Sequence, residues 1–228
     1  MITDRLSTKE KKYLKQIFYD PSNEGGLGTA KNLYEKTKKD GLFNFTLEEI
    51  EHWLSSQDTY TIFKGIKKSK IKPERLYSSG LDNLWQSDLI HLDRYADSNR
   101  GYKAICLVID IFSRYMFFAK LKSTSAEDLI KGFEEILKEA MPRKCKCLCS
   151  DAGSNFTSQK FVKFLEKNKI KQVVLNPPSH ANYCEIAIKY IQGKINKLFY
   201  YNQNHNWEKY IADIIKTKNS KFHYGLKY

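Results

Sequence analysis

The stretch Cys145–Thr157, CKCLCSDAGSNFT, decides how the rest of the chain is interpreted. Its first five residues have the pattern of a short strand, and Gly153 and Asn155 then break that pattern into a loop. Asp151 therefore falls at the carboxyl end of a predicted strand, where α/β sheets place their ligands. An aspartate at a strand end more often caps a turn, so its meaning depends on partners elsewhere in the chain.

Two further carboxylates are candidates for that partnership. Leu84–Ile90 has the composition of a strand and carries Asp88 within its apolar pattern. Asn182–Tyr200 has apolar residues at a helical period, with Glu185 beside the apolar stripe. Carboxylates on a strand, a strand end and a helix could converge on Mg²⁺, which prefers oxygen ligands. Two such ions about 3.5–4 Å apart would clamp the attacking and leaving oxygens of a phosphoryl transfer.

Each candidate ligand also has a structural interpretation. Asp88 could be a paired core acid, although an aspartate is rarely buried without a partner. Asp110 and Asp93 are rival ligands, but Asp110 sits at a predicted hairpin turn, where it is expected to bond the backbone. Glu185 could pair with Lys189 at i,i+4, which is worth only about 0.2–0.5 kcal/mol.

Four motifs, taken in order, resemble the integrase core of retroviruses and retrotransposons, and most closely the integrases of Polinton/Maverick DNA transposons. In that family a D,D,E triad binds two Mg²⁺ ions in an RNase H-like fold. The resemblance places that triad on Asp88, Asp151 and Glu185. The four motifs are Trp85-x-x-Asp88, VIDIFSRY at Val108–Tyr115, SDxGxNF at Ser150–Phe156 and ANYxE at Ala181–Glu185.

The resemblance implies a DNA integrase or transposase that cleaves near the 3′ end of an element and joins the freed 3′-OH to target DNA. It implies two Mg²⁺ ions, for which Mn²⁺ would substitute, and no small-molecule cofactor. Two element ends must reach two nearby target phosphates, so a dimer or larger homo-oligomer is expected. Two alternatives stay open: a domesticated or decayed integrase that holds DNA without cutting it, and an RNase H-type nuclease.

Residues outside the triad are predicted to contact DNA. The segment before Glu185 corresponds to a DNA-contacting loop of the family, and two residues after it share its helical face. The family usually has a basic residue directly after the glutamate, where this chain has Ile186. The predicted contacts are Asn155, His180, Asn182, Lys189 and Gln192, together with Lys64, Lys67, Lys68, Lys70 and Lys72 of a basic linker.

Composition supports a polyanionic partner. The 228 residues carry 39 Lys and Arg against 26 Asp and Glu, a formal net charge of +13, which favours nucleic acid over a membrane surface. No apolar run of about 18 residues and no hydrophobic signal core occurs, so no membrane partner is expected. The five cysteines form no CxxC pair and are interpreted as small buried hydrophobes of a reducing compartment. An intracellular, nuclear location follows as a prediction.

Two domains joined by a linker are predicted along the chain. Residues 1–60 form a small three-helix, helix-turn-helix-like domain, in which Ser7/Glu10 and Thr46/Glu49 have capping-box spacing. Acidic residues at the start of its third helix oppose base reading, so DNA contact and a packing role both remain open. The His/Cys zinc module of retroviral integrases is not expected, because His52 is the only histidine in the first 90 residues and no cysteine precedes Cys106.

The basic linker covers residues 61–80, and the catalytic core covers residues 81–228. The core is predicted to run β-β-β-α-β-α-β-α-α, which gives an α/β fold with a mixed five-stranded sheet flanked by helices. The predicted core therefore has the element order expected of the RNase H-like fold.

Overall fold

The computed structural model describes residues 6–63, 76–175 and 182–220, apart from the side chain of Asn182. These residues form two compact units: 6–63 with 191–220, and 76–175 with 182–190. We call them the helical unit and the sheet unit. No helix among the described residues has both the length and the apolar character that a membrane span requires.

Five strands and eight helices follow one another in the described part of the chain. In order they are α1 (Thr8–Phe18), α2 (Ala30–Asp40), α3 (Leu47–Ser55), α4 (Asp58–Ile62), β1 (Trp85–His91), β2 (Ala104–Asp110), β3 (Met116–Leu121), α5 (Ala126–Glu139), β4 (Cys147–Asp151), α6 (Gln159–Lys167), β5 (Lys171–Leu175), α7 (Asn182–Asn202) and α8 (Ile211–Asn219). Two short 3₁₀ turns lie between β1 and β2.

The sheet unit is built on one mixed sheet with the strand order β3-β2-β1-β4-β5. Strands β1, β2 and β3 pair antiparallel, whereas β4 pairs parallel with both β1 and β5. This is the RNase H-like arrangement, and it confirms the predicted fold class. Because β1 and β4 are parallel, their carboxyl ends lie at the same edge of the sheet.

One face of the sheet packs against α5 and α6. Trp85 and Phe117 from the sheet join Phe133 of α5 and Phe161 of α6 in one buried apolar cluster, in which the two helix rings lie 5.0 Å apart. Serine side chains cap both helices, as expected for their amino termini. Because side chains alternate along a strand, the opposite face of β1 carries Gln86, Asp88 and Ile90.

The helical unit confirms both predicted capping boxes. The backbone N–H of Thr46 donates to Glu49 at 2.8 Å, and that of Ser7 donates to Glu10 at 2.7 Å. The apolar faces of α1, α2 and α3 are buried, and the short helix α4 follows them.

The compact units differ from the predicted division at residue 81. Residues 191–220, predicted as part of the core, group with the N-terminal helices. The Thr217 hydroxyl donates to the carbonyl of Ser22 at 3.0 Å, and the Tyr19 and Tyr201 rings stack at 3.7 Å. Helical periodicity shows that one face of a helix is apolar, but it does not show which distant segment covers that face. The predicted domains 1–60 and 81–228 stay a prediction.

The last helix also begins later than predicted. We expected it over Trp207–Lys216, whereas α8 spans Ile211–Asn219. Trp207 is fully buried in a turn, and its carbonyl accepts the N–H of Ile211 at 3.1 Å.

The cysteines behave largely as the sequence predicts. All five are free thiols, and four are buried, while Cys147 is partly exposed. Burial raises the pKa of the Cys106 thiol to about 12 and that of Cys149 to about 11. A raised pKa leaves the thiol protonated at neutral pH, so these side chains serve as packing groups.

Candidate active site

The sheet brings two of the candidate carboxylates to the same level. Gln86 of β1 lies opposite Cys149 of β4 in the parallel register, and the same register two residues further places Asp88 level with Asp151. Asp151 is the last residue of β4, and the loop after it turns back to bond it: the Gly153 N–H donates to its carboxylate at 3.2 Å. Asp88, in the middle of β1, and Asp151, at the carboxyl end of β4, therefore lie level on adjacent strands.

Helix α7 supplies the third carboxylate in its first turn, and its amino terminus is tied to β1. The side-chain carbonyl of Gln86 accepts the backbone N–H of Tyr183 at 3.0 Å and that of Cys184 at 2.9 Å. The Tyr183 hydroxyl donates to the carbonyl of Leu76 at 2.9 Å. Glu185 follows directly after Cys184, so its backbone position is set by a side chain of the strand that carries Asp88.

The charges of Asp151 and Glu185 act on Asp88. The pKa of Asp88 is raised, chiefly because burial disfavours its charge, and the negative charges of Asp151 and Glu185 raise it further. A hydrogen bond from the Leu89 N–H, at 2.7 Å, and the nearby His91 act in the opposite direction. Coupling of this kind requires the groups to lie near one another, and it is typical of functional sites.

Each carboxylate also has a local donor. Asp88 and Asp151 each accept a backbone N–H group. The Glu185 carboxylate lies 3.5 Å from the Lys189 ammonium, and the Glu185 side chain is 42% exposed and that of Lys189 74% exposed. Within residues 6–63, 76–175 and 182–220, no three His, Cys, Asp or Glu side chains are arranged to hold a metal ion. The donor set nevertheless fits Mg²⁺, because all three are hard oxygen ligands. Each of these local contacts involves one carboxylate oxygen and leaves the second oxygen to bind a cation.

Asp110 is occupied by structural contacts, as the sequence predicts. Its fully buried carboxylate accepts the backbone N–H groups of Phe112 and Ser113 at 3.3 and 3.1 Å, and the Arg143 guanidinium at 2.9 Å. The other rival, Asp93, lies 3.8 Å from His91 with its side chain 60% exposed. The main causes of the raised pKa of Asp88 include neither residue.

The predicted DNA-contacting residues are only partly described. Asn155 is partly buried in the loop after β4, Lys189 is exposed, and Gln192 lies further along α7. Ile186, the departure from the family pattern, is 64% exposed. Lys64, Lys67, Lys68, Lys70, Lys72 and His180 lie outside the described residues, as does the side chain of Asn182.

The predicted site residues did not include Gln86, nor the basic residues at the start of β2 and the end of β3, which are Lys103, Lys120 and Lys122. A polar residue inside a strand, two positions before a candidate ligand, is a signal that could have identified Gln86. The bond to α7 spans 97 positions of sequence, however, and local patterns contain no information about such a partner.

Asp88→Asn should stabilise the folded protein at neutral pH in the absence of divalent metal. Because the pKa of Asp88 is raised in the folded state, its carboxyl group stabilises the fold only while it is protonated. This contribution to the free energy of unfolding is lost as the pH rises through the raised pKa. Asparagine removes the buried charge and keeps an oxygen for the Leu89 N–H. Thermal unfolding should show a higher midpoint for the variant at neutral pH and a shrinking difference at acidic pH. Asp97→Asn, at an exposed position, is the control, and a lower midpoint for Asp88→Asn at neutral pH would contradict the expectation.

Part of the chain is similar to known integrases. Residues 80–180 match the family model described as integrase core domain, a segment that covers all five strands with Asp88 and Asp151 and ends before Glu185. The catalytic core domain of BIV integrase is a similar solved structure, with 15% identity over 62% of this chain and 86% of that chain and a TM-score of 0.49. No curated protein matches the chain.

Residues 80–180 of the sheet unit are thus similar to an integrase core domain. The matched segment is less than half of the chain.

Proposed function

We propose that this protein is a DNA integrase that cleaves the 3′ ends of a transposable element and joins them to target DNA, with Asp88, Asp151 and Glu185 as metal ligands. The observation that carries the proposal is the geometry: Asp88 and Asp151 lie level on adjacent strands, and Gln86 of β1 binds the first turn of α7, which carries Glu185. Two Mg²⁺ ions bound there, or Mn²⁺ in their place, supply charge neutralisation and activation of the attacking oxygen.

The protein contributes position and environment to this reaction. Asp88 and Asp151 project from adjacent strands, and the capped first turn of α7 holds the backbone of Glu185. Phosphoryl transfer depends mainly on the alignment of the reacting oxygens and on stabilisation of the developing charge, so rigid elements are suitable supports. Asp88 is partly buried, which strengthens its interaction with a cation.

Basic residues beside this site fit a DNA partner. Lys120 of β3 lies opposite Ile105 of β2, which in turn lies opposite Ile90 of β1. Because Ile90 and Asp88 are two residues apart on one strand, Lys120 is on the same face of the sheet as Asp88. The Lys120 and Lys122 ammonium groups lie 4.9 and 5.9 Å from the centre of the Tyr102 ring. With the exposed Lys103 they form a group that we call the lysine cluster, Lys103, Lys120 and Lys122. Cations next to an aromatic ring suit a nucleic-acid backbone.

Changing all three residues of the lysine cluster to Gln should weaken DNA binding for every sequence tested. The slope of log K against log salt should flatten by about 0.9 for each phosphate of B-DNA that the variant no longer neutralises. A triple variant of the exposed Lys138, Lys163 and Lys167, on α5 and α6, is the matched control for net charge. Equal slopes for the two triple variants would show that only overall charge matters. The five linker lysines, changed to Gln together, should also flatten the slope.

A strand-transfer assay tests the proposed function. Oligonucleotides that end in the termini of the element should be joined to target DNA in the presence of Mg²⁺ or Mn²⁺. DNA binding without cleavage would instead indicate a domesticated or decayed integrase, and cleavage restricted to RNA–DNA hybrids would indicate an RNase H-type nuclease.

Three finer features belong to the same proposal. The element is proposed to be of the Polinton/Maverick type, on the motifs that surround the triad. The protein is proposed to act in the nucleus as a dimer or larger homo-oligomer, because one active site cannot process two DNA ends at once.

A further inference from the structure

Gln86 is a fully buried polar side chain in β1, two residues before Asp88 and on the same face of the sheet. Its carbonyl oxygen accepts two consecutive backbone N–H groups, those of Tyr183 and Cys184, at 3.0 and 2.9 Å. Both donors belong to the first turn of α7, and Glu185 is the next residue.

The first N–H groups of a helix have no partner within the helix and need an acceptor from elsewhere. The usual acceptor is a side chain immediately before the helix. In α7, two of these groups are instead satisfied by a residue 97 and 98 positions earlier in the chain. A local cap would satisfy the helix without relating it to the sheet, whereas this cap ties the start of α7 to one position of β1.

We propose that Gln86 is a positioning residue that holds Glu185 in register with Asp88 and Asp151. The inference rests on the proposed function, in which these three carboxylates bind the metal ions together. One short side chain links the strand that carries the first ligand to the helix turn that carries the third. A shift of α7 along the sheet would break both hydrogen bonds at once.

A second set of contacts restrains the same turn without reaching the carboxylates. The Arg114 guanidinium lies over the Tyr183 ring, 3.7 Å from its centre, and the Tyr183 hydroxyl bonds the carbonyl of Leu76. These contacts hold the side chain of Tyr183, whereas Gln86 holds the backbone that leads directly into Glu185. Replacement of Gln86 should therefore affect the position of the ligand while the turn remains attached.

Gln86→Met tests this role, because methionine has similar length and no strong acceptor. Backbone amide exchange of Tyr183 and Cys184 should become faster, with the central strands unchanged. Mn²⁺ affinity and the turnover of strand transfer should fall roughly 10–100-fold, as for other groups that orient metal ligands, while the Kd for DNA stays constant. Gln172→Met is the matched control, since it removes a 2.8 Å side-chain bond to the Phe156 carbonyl elsewhere in the sheet unit.

Unchanged exchange at Tyr183 and Cys184 would overturn the inference, and so would faster exchange with normal Mn²⁺ affinity. If Gln86→Met does not fold, Gln86→Asn, which shortens the side chain by one methylene, decides by the same measurements. Exchange and Mn²⁺ binding need no catalysis. A wild-type protein that joins no DNA would therefore refute the proposed function. The role of Gln86 would still be decided by amide exchange and by Mn²⁺ affinity.

Discussion

Asp88→Asn, Asp151→Asn and Glu185→Gln should each abolish cleavage and joining while the fold stays intact. Each change removes one negative charge from the proposed ligand set, and none removes a group from the apolar core. Loss of a single electrostatic group at an active site commonly costs about 10²–10³-fold in rate, and loss of a ligand charge should cost at least that much. Strand-transfer and 3′-cleavage assays measure the effect, with circular dichroism and DNA affinity as checks on the fold.

Asp93→Asn is the matched control for these three variants, because Asp93 is an exposed carboxylate just beyond β1. It should retain activity. An inactive Asp110→Asn protein that is still folded, together with an active Asp88→Asn protein, would show that the ligand assignment is wrong. The contacts of Asp110 lead us to expect a loss of stability from its replacement.

Arg143→Met should be the most destabilising single change predicted for the sheet unit, by about 3–5 kcal/mol in the free energy of unfolding. The Arg143 guanidinium bonds the carboxylates of Asp82 at 2.6 Å and Asp110 at 2.9 Å, whose side chains are 9% and 0% exposed. It also lies over the rings of Tyr115 and Phe117 at 5.1 and 5.2 Å from their centres. Removing the cation leaves two buried carboxylates without their charge partner.

Urea unfolding measures this effect. Lys144→Met removes a cation from the neighbouring exposed position and should change stability little. Arg143→Lys should recover only part of the stability, because an ammonium group cannot reproduce the planar, forked geometry of a guanidinium. A destabilisation below about 1 kcal/mol for Arg143→Met would mean that solvent screens the carboxylates as it does at a surface.

The regular elements of the sheet unit could be predicted from the sequence because their signals are local. The apolar run Ala104–Asp110 and the helical period of Ala126–Glu139 reflect the burial of each element, and the bounds agree within a few residues. Asp110 was predicted correctly as a backbone partner at the hairpin, since an aspartate bonds N–H groups two or three residues away. The fold class followed from the order of these elements.

The sequence predicted only part of the candidate site. Asp88 and Asp151 could be matched to family motifs, and the sheet register then places them at the same level. Glu185 has its predicted i,i+4 partner Lys189, which is a local relation along one helix. The raised pKa of Asp88 depends on its burial and on the proximity of the other two carboxylates, which no spacing in the sequence specifies.

The amino-acid sequence thus determined which segments form strands and helices and which carboxylates are candidate ligands, because both follow from local periodicity and motif. The tertiary structure alone decided that residues 191–220 group with the N-terminal helices and that Arg143 joins Asp82 to Asp110. It also decided that Gln86 caps α7. These contacts join positions far apart in the chain, and side chains select such partners only when the packed elements bring them within hydrogen-bonding distance.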